Sequence, residues 1–83
     1  MKQKPAYVYR IYDQRNGLLY IGCSYYPMVR MIEHKNRCWS IYISYMMITL
    51  YENKKAAAIA EKLAIRDEKP RFNTIYNDRS ISG

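Results

Sequence analysis

Glu61 is a charged residue at a position where a purely structural helix would ordinarily have an apolar one. Glu61 lies in an alanine-rich stretch, residues 54–66, whose apolar residues recur at helical spacing. At about 100° per residue, the neighbours of Glu61 around the helix are mostly apolar, and the polar stripe is confined to Lys55, Lys62 and Arg66. An unpaired carboxylate there is costly, so we expect a cation partner, either a bound metal ion or an arginine, or a solvent-filled pocket.

Arg30 and His34 are four residues apart in a segment that predicts a short helix, so both side chains project from the same face. A guanidinium in that position can hold a phosphate through two parallel hydrogen bonds. The alternative is ordinary, because basic residues on a short helix usually face solvent and a lone histidine is more often structural than catalytic. The pair therefore indicates a phosphate-binding site only if other candidate residues lie close to it.

Tyr9 and Tyr20 lie on the two arms of a predicted hairpin, and an even-length loop between them places both on one face of the sheet. Gly22 shares that face and has no side chain, which leaves room for a substrate backbone to approach. Because the chain contains 10 tyrosines, packing alone would explain such a pair. Asn73, which follows Pro70-Arg71-Phe72, can equally be a turn residue.

The first half of the chain predicts a hairpin and a short helix that would position these residues. Alternating, breaker-free segments predict a hairpin over residues 6–24. Its turn is expected at Asn16 and Gly17, because both tolerate a positive φ. Pro27 then suits the first position of a helix over residues 28–35.

The second half predicts one more strand and one more helix. A mixture of Ile, Tyr, Met and Thr indicates a strand over residues 41–51. Asn53 is the expected cap of a helix over residues 54–66, which ends before Lys69-Pro70, and the polar residues 74–83 predict a loose tail. The order strand, strand, helix, strand, helix predicts an α+β domain with one small antiparallel sheet and helices against it.

Size and charge narrow the class of protein. A chain of 83 residues can bury one core, so we expect a single domain over residues 1–83 with its core in residues 6–73. There are 14 Lys and Arg against 7 Asp and Glu, and the formal charge of +7 favours polyanions. Because no basic amphipathic segment and no run of about 18 apolar residues is present, nucleic acid is the expected partner and a membrane is not.

Cys23 and Cys38 stand outside any spacing typical of metal ligands or redox pairs, and the chain starts without a secretory leader. We therefore expect reduced thiols, both buried as small hydrophobes, in a cytoplasmic, intracellular protein. Zinc binding and redox roles are not expected.

The candidate residues, taken in order, resemble the motifs of the GIY-YIG nuclease family. Tyr7-Val8-Tyr9 is similar to the first motif, with Tyr7 where the family usually has glycine. Tyr20-Ile21-Gly22 matches the second motif completely. Arg30 and His34 stand where the family places its arginine and the histidine four residues on.

Two later segments complete the resemblance. The helix around Glu61, Ala60-Glu61-Lys62-Leu63-Ala64-Ile65, is similar to the family helix that carries a metal-binding glutamate. The segment Lys69-Pro70-Arg71-Phe72-Asn73 resembles the closing motif. Each motif is weak alone, but five in the right order over residues 6–73 are a specific signal.

The resemblance implies a three-stranded antiparallel sheet flanked by helices and a divalent-metal-dependent endonuclease that hydrolyses DNA phosphodiester bonds by a single-metal mechanism. Glu61 would hold Mg²⁺ (or Mn²⁺), and Arg30 would neutralise charge on the phosphoryl oxygens. Tyr9 would orient or deprotonate the attacking water, with Tyr20 positioning substrate or sharing that work. His34 would hydrogen-bond a tyrosine or the phosphate, and Asn73 would brace the metal site.

Two other functions compete with cleavage. The same cleft in a nucleic-acid-binding module would recognise DNA structure without cutting it, and a structural interaction domain would use the tyrosines as a partner interface. Metal-dependent nicking of a plasmid separates the first from a nuclease, and salt-sensitive DNA binding counts against the second. Since the sequence predicts no separate target-choosing domain, we expect little sequence preference, recognition of DNA shape, or specificity supplied by a homodimer or a partner protein.

Overall fold

The computed structural model describes residues 3–73, in which three strands and two helices form an α+β fold. The strands form one antiparallel sheet in the order β2-β1-β3. The predicted class, a small three-stranded antiparallel sheet flanked by helices, is confirmed, whereas the predicted tail, residues 74–83, lies outside the described residues. The elements are β1 (Ala6–Tyr12), β2 (Leu18–Ser24), α1 (Pro27–His34), a short 3-10 turn (Ser40–Tyr42), β3 (Tyr45–Tyr51) and α2 (Lys54–Glu68).

The predicted hairpin over residues 6–24 is confirmed, but its loop is longer than the two-residue turn expected at Asn16 and Gly17. Residues 13–17 close it: the Asp13 N–H donates to the Gly17 carbonyl (2.9 Å), and the Asp13 carboxylate accepts from the Gly17 N–H (2.7 Å). Only Asn16 of the two has a positive φ, at 65°. A Cβ at Gly17 would lie 2.8 Å from the Asp13 carboxylate, so a larger residue there would displace the carboxylate that closes the loop.

A β-bulge in this hairpin sets which side chains share a face. Ile11 pairs with Tyr20 and Tyr12 pairs with Leu18, which leaves Leu19 without a partner on β1. An extra residue of this kind turns the strand locally, and Leu19 and Tyr20 accordingly pack into the same apolar cluster.

Each face of the sheet covers its own apolar cluster. On one face α2 packs against β1 and β2, and on the other the segment after α1 supplies Trp39. The buried residues on the α2 face are Ala6, Val8, Ile21, Ala57 and Ala64, and those on the α1 face are Tyr9, Ile11, Leu19 and Trp39.

Helix α2 begins as predicted and runs slightly further. The Asn53 side chain caps it by accepting a hydrogen bond from the Ala56 N–H (2.8 Å). It ends at Glu68 rather than at the predicted residue 66, because only at Lys69 does the backbone turn left-handed (φ 50°) ahead of Pro70.

The face that α2 buries against the sheet is formed by small residues. Ile59 and Leu63 are 53% and 46% exposed, whereas the small residues Ala57 and Ala64 are buried against the sheet. Alanine allows the helix to approach the strands closely, so the larger apolar side chains are left on the flank. Glu61, at i+4 from Ala57, shares the buried face.

Two further expectations are corrected. The strand predicted over residues 41–51 begins only at Tyr45, because Ser40–Tyr42 forms a 3-10 turn in which the Ile43 N–H donates to the Ser40 carbonyl (3.1 Å). Cys38, predicted to be buried, is exposed, since Trp39 takes the interior position next to it, and Cys23 is half-buried. In residues 3–73, no helix has the length and apolar character needed to span a bilayer.

Candidate functional site

The Tyr9 ring lies directly over Gly22, as the shared face of the hairpin predicted. The two residues are paired across β1 and β2, and a Cβ at Gly22 would overlap the hydroxyl and ring of Tyr9. Tyr9 is 3% exposed. The space above Gly22, expected to admit a substrate backbone, is therefore filled by the Tyr9 phenol, and glycine is required at this position to seat it.

Tyr9, Tyr20 and His34 converge at the end of α1. The Tyr9 hydroxyl and His34 Nε2 are hydrogen-bonded at 3.0 Å in a buried setting. The Tyr20 ring packs beside both, with its centroid 4.6 Å from that of His34 and 6.1 Å from that of Tyr9. Three of the six predicted site residues, drawn from β1, β2 and α1, thus form one contact group.

His34 is the last residue of α1, and its imidazole is held neutral. A helix C-terminus ordinarily favours a protonated histidine, yet burial lowers the His34 pKa, with the charge of Arg37 acting in the same sense. Nδ1 is buried and has no hydrogen-bond partner within residues 3–73. In one tautomer Nε2 accepts the Tyr9 O–H, and in the other it donates to the phenol oxygen.

The Tyr9 phenol is also held in its neutral form. Burial raises its pKa well above the ordinary value, the neighbouring Tyr20 phenol adds to the rise, and the Arg30 guanidinium opposes it. The carboxylates of Glu61 and Glu33 raise the pKa further. Arg30 and Glu61 are thus both within electrostatic reach of the Tyr9 hydroxyl, although neither touches it.

Arg30 lies at the rim of this group, on the solvent side of α1. Its guanidinium donates to the Glu33 carboxylate at 2.6 Å, and both side chains are about half exposed, at 50% and 55%. Its charge lowers the pKa of His34 and of Tyr9. The two side chains, predicted to converge on one ligand, lie in different settings: His34 is buried, whereas Arg30 is exposed and bound to Glu33.

Glu61 is a half-buried carboxylate that faces the sheet. Burial raises its pKa, and the positive charges of Lys54 and Lys62 only partly oppose the rise. Within residues 3–73 it makes no ion pair and no hydrogen bond, so the arginine partner considered above is not found there. In the same part of the chain no three His, Cys, Asp or Glu side chains lie close enough together to ligate one metal ion.

Asn73 binds the backbone of β2. It is 4% exposed; its Oδ1 accepts from the Ile21 N–H (2.6 Å) and its Nδ2 donates to the Ile21 carbonyl (2.8 Å). The amide therefore pairs with Ile21 as a residue of a neighbouring strand would. Ile21 stands between Tyr20 and Gly22, so Asn73 fixes the strand that carries both and is not a simple turn residue.

Trp39 is a residue of this group that sequence reasoning missed. Its ring stacks on Phe72 (5.0 Å between centroids, 10° between planes) and lies 5.7 Å from Tyr20 and 5.4 Å from His34. It closes the side of the group away from Tyr9, and its Nε1 is buried with no partner within residues 3–73. A lone tryptophan just after a helix was the available signal.

A cluster of cations and aromatic rings follows the end of β2. The ammonium groups of Lys4 and Lys54 lie 4.7 and 4.8 Å from the centre of the Tyr25 ring, and Lys4 also donates to the Tyr26 hydroxyl. The charge of Lys54 acts on Glu61 as well. Positive charge thus lies close to the candidate carboxylate.

No known protein family, curated protein or solved structure matches this chain. The resemblance to the GIY-YIG nucleases therefore rests on the motif residues of the chain.

Proposed function

We propose that this protein is a divalent-metal-dependent endonuclease that hydrolyses phosphodiester bonds in DNA. The observation that supports the proposal most is the buried Tyr9–His34 hydrogen bond with a guanidinium and a carboxylate acting on the same phenol. A cation, an anion and two groups that can exchange a proton are the parts that phosphoryl transfer to water needs. The formal charge of +7 favours the substrate.

The residues present fit a single divalent ion. Glu61 is a half-buried carboxylate whose pKa is raised by burial, and within residues 3–73 no side chain neutralises it directly. Since Mg²⁺ binds readily through one or two carboxylates and completes its shell with water and phosphate oxygens, one carboxylate is sufficient. When bound, Mg²⁺ or Mn²⁺ would act as a Lewis acid on a phosphoryl oxygen.

Tyr9 and His34 together orient and deprotonate the attacking water. Because burial disfavours a Tyr9 phenolate, the phenol takes a proton from water as it passes its own proton to His34 Nε2, 3.0 Å away. His34 is suited to receive it because its lowered pKa keeps the imidazole neutral at pH 7. Tyr20, packed against His34, positions the substrate.

Arg30 neutralises charge on the phosphoryl oxygens after exchanging its partner. In the structure its guanidinium is bound to Glu33, and both side chains are exposed. An exposed ion pair of this kind contributes little to stability, whereas a well-placed cation strongly stabilises a phosphoryl-transfer transition state. Release of Arg30 to a bound phosphate therefore costs little.

The test is nicking of supercoiled plasmid with Mg²⁺ or Mn²⁺, with EDTA as the blank. Glu61→Gln keeps the size of the side chain and removes its charge, and we expect at least a roughly 100-fold loss of cleavage, as for removal of a principal electrostatic group. Arg30→Ala should lose a similar factor. Glu52→Gln, a change of the same kind on an exposed side chain at the start of the loop before α2, should cut as the wild type does.

Wild-type cleavage by a folded Glu61→Gln protein would reject the single-metal scheme. The second candidate, a DNA-binding module that does not cut, is favoured by two observations: Arg30 is engaged with Glu33, and Lys4 and Lys54 around Tyr25 suit backbone binding without chemistry. Salt-sensitive plasmid binding with no metal-dependent nicking would select it.

A further inference from the structure

Strand β3 forms an edge of the sheet that is uncovered within the described residues. It pairs with β1 on one side only. Its large side chains are exposed on both faces, among them Met47 (56%) and Leu50 (63%). Edge strands in soluble proteins are ordinarily guarded by lysine, proline or a bulge. Here no residue from Cys38 to Tyr51 is charged or is proline.

The backbone groups that β3 presents outward follow from the register. Asn73 binds the Ile21 N–H and C=O from outside the sheet, so these groups point away from β1. Hydrogen-bonding direction alternates along an antiparallel strand. Since Arg10 is paired with both Ile21 and Met47, the groups of Arg10 and Met47 face each other. The outward groups of β3 are then those of Met46, Ile48 and Leu50.

We propose that β3 pairs antiparallel with β3 of a second copy of this chain, with the two-fold axis at Ile48. With the axis at Ile48, the outward N–H and C=O groups of one β3 lie opposite those of the other, so the backbone hydrogen bonds of the sheet continue across the dimer. It also matches the side chains, because β3 is nearly symmetric about Ile48: Ile48 faces Ile48, Met46 faces Leu50, Met47 faces Thr49 and Tyr45 faces Tyr51 of the second copy.

The chemistry of β3 selects a second copy over other partners. A polyanion would gain nothing from an uncharged apolar strand, whereas an identical strand offers both the backbone groups and the apolar side chains that this edge lacks. Cross-strand apolar pairs contribute about 0.2–1 kcal/mol each. The formal charge of +7 on each copy opposes association, so screening by salt should strengthen this dimer.

The dimer would have one continuous six-stranded sheet with both candidate sites on the same side. The two-fold axis is perpendicular to the sheet, so the α1 faces of the two copies lie together. Tyr9 is level with Ile48, and the two Tyr9 residues are then separated by three strand spacings of about 4.8 Å, or about 14 Å.

The test is the oligomeric state of the full chain by sedimentation velocity over a wide concentration range. Ile48→Lys places two lysines opposite each other at the axis and should raise the dissociation constant at least about tenfold. Ile41→Lys makes the same change at a position that is 80% exposed outside β3 and should leave the dimer intact. Circular dichroism of each variant confirms that it folds, as expected for exposed positions.

The register has a test of its own. Ile48→Glu alone should also be monomeric, but a mixture of Ile48→Lys and Ile48→Glu should form a heterodimer, since this register sets lysine against glutamate. The wild-type dimer should persist or strengthen in about 0.5 M salt, whereas one bridged by DNA would dissociate. A wild-type monomer at all concentrations, dissociation by Ile41→Lys, or no heterodimer in the mixture would overturn the proposal. None of these measurements depends on cleavage.

Discussion

The two edge strands of the sheet, β2 and β3, differ in whether the backbone of their outer edge is hydrogen-bonded. Along β2, the Arg71 N–H donates to the Leu18 carbonyl (3.1 Å), the Phe72 N–H donates to the Leu19 carbonyl (2.9 Å), and the Asn73 amide binds the backbone that follows. Along the outer edge of β3, no strand or segment among residues 3–73 pairs with the backbone. One edge strand is therefore held from both sides and the other from one side only.

The closed edge is the one that carries the candidate site. Tyr20 and Gly22 lie on β2, and a slip of one residue along β1 would turn both to the other face of the sheet. The second set of backbone bonds along β2 prevents such a slip. On β3 most side chains are exposed, and only Met46 and Tyr51 pack against the apolar clusters. The register is therefore fixed more strongly where chemistry is proposed than where association is proposed.

The largest expected effect is at the closed edge. Asn73→Ala leaves the buried N–H and C=O of Ile21 without partners, at about 1–3 kcal/mol each, so we expect a loss of about 2–6 kcal/mol in the free energy of unfolding. Urea unfolding measures it. The matched control is Asn53→Ala, which removes one helix cap and should cost about 1 kcal/mol. Equal losses for the two variants would contradict the role given to Asn73.

The next effect concerns the seat of the Tyr9 ring. Gly22→Ala forces a methyl group into the position of the phenol, and overpacking of this kind costs about 1–3 kcal/mol. The displaced ring also loses its bond to His34, so cleavage should fall with stability. In a Tyr9→Ala background the clash is gone, and Gly22→Ala should then cost almost nothing. The same cost in both backgrounds would show that the Tyr9 ring is not the obstacle.

A smaller effect is the dependence of stability on pH. The folded-state pKa of His34 is lowered from its ordinary value of about 6.5, so the unfolded chain binds more protons and stability is lost as the pH falls below about 6.5. The raised pKa of Glu61 acts in the opposite sense, because its burial favours the fold most when it is protonated.

The two contributions separate in a Glu61→Gln background. There, urea midpoints measured between about pH 7.5 and 5.5 should fall with pH, and adding His34→Gln should flatten the curve, since this removes the only histidine of the chain. An unchanged slope would mean that His34 is not held neutral by the fold.

The smallest effect is expected at the open edge. Leu50→Ala on β3 should change the free energy of unfolding of the monomer by no more than about 0.5 kcal/mol, because the side chain is 63% exposed. The matched change at the closed edge, Leu19→Ala on β2, removes a side chain that is 1% exposed and should cost about 2–5 kcal/mol. Similar costs would remove the distinction between the two edges.

The sequence predicted the elements better than the contacts between them. Alternation and capping residues are local signals, and they placed the hairpin and the start of α2 correctly. The shared face of Tyr9 and Tyr20 is present, but it depends on the bulge at Leu19, because the loop of residues 13–17 has an odd number of residues and the prediction required an even one. The bulge at Leu19 and the 3-10 turn at Ser40–Tyr42 depend on how strands fit together in space, and no local pattern marks them.

Roles that depend on distant pairing were missed or misassigned. Asn73 and Ile21 are 52 positions apart, so nothing near Asn73 shows that its amide completes β2. Ile59 stands at apolar helical spacing in α2 yet is 53% exposed, because the close approach of Ala57 to the sheet determines the buried face. Glu33 stands three residues after Arg30, a spacing that favours an ion pair on a helix. The motif pattern did not take this pairing into account.

Trp39 is an intrinsic fluorescent probe of the candidate site. It is the only tryptophan, and its indole lies 5.4 Å from the His34 imidazole. A protonated imidazole quenches indole emission at such a separation, so the fluorescence of the unlabelled chain reports the protonation of His34 and any rearrangement around it. Occupancy of the neighbouring region by an oligonucleotide or a cation can be followed by the same emission, without a dye and without turnover.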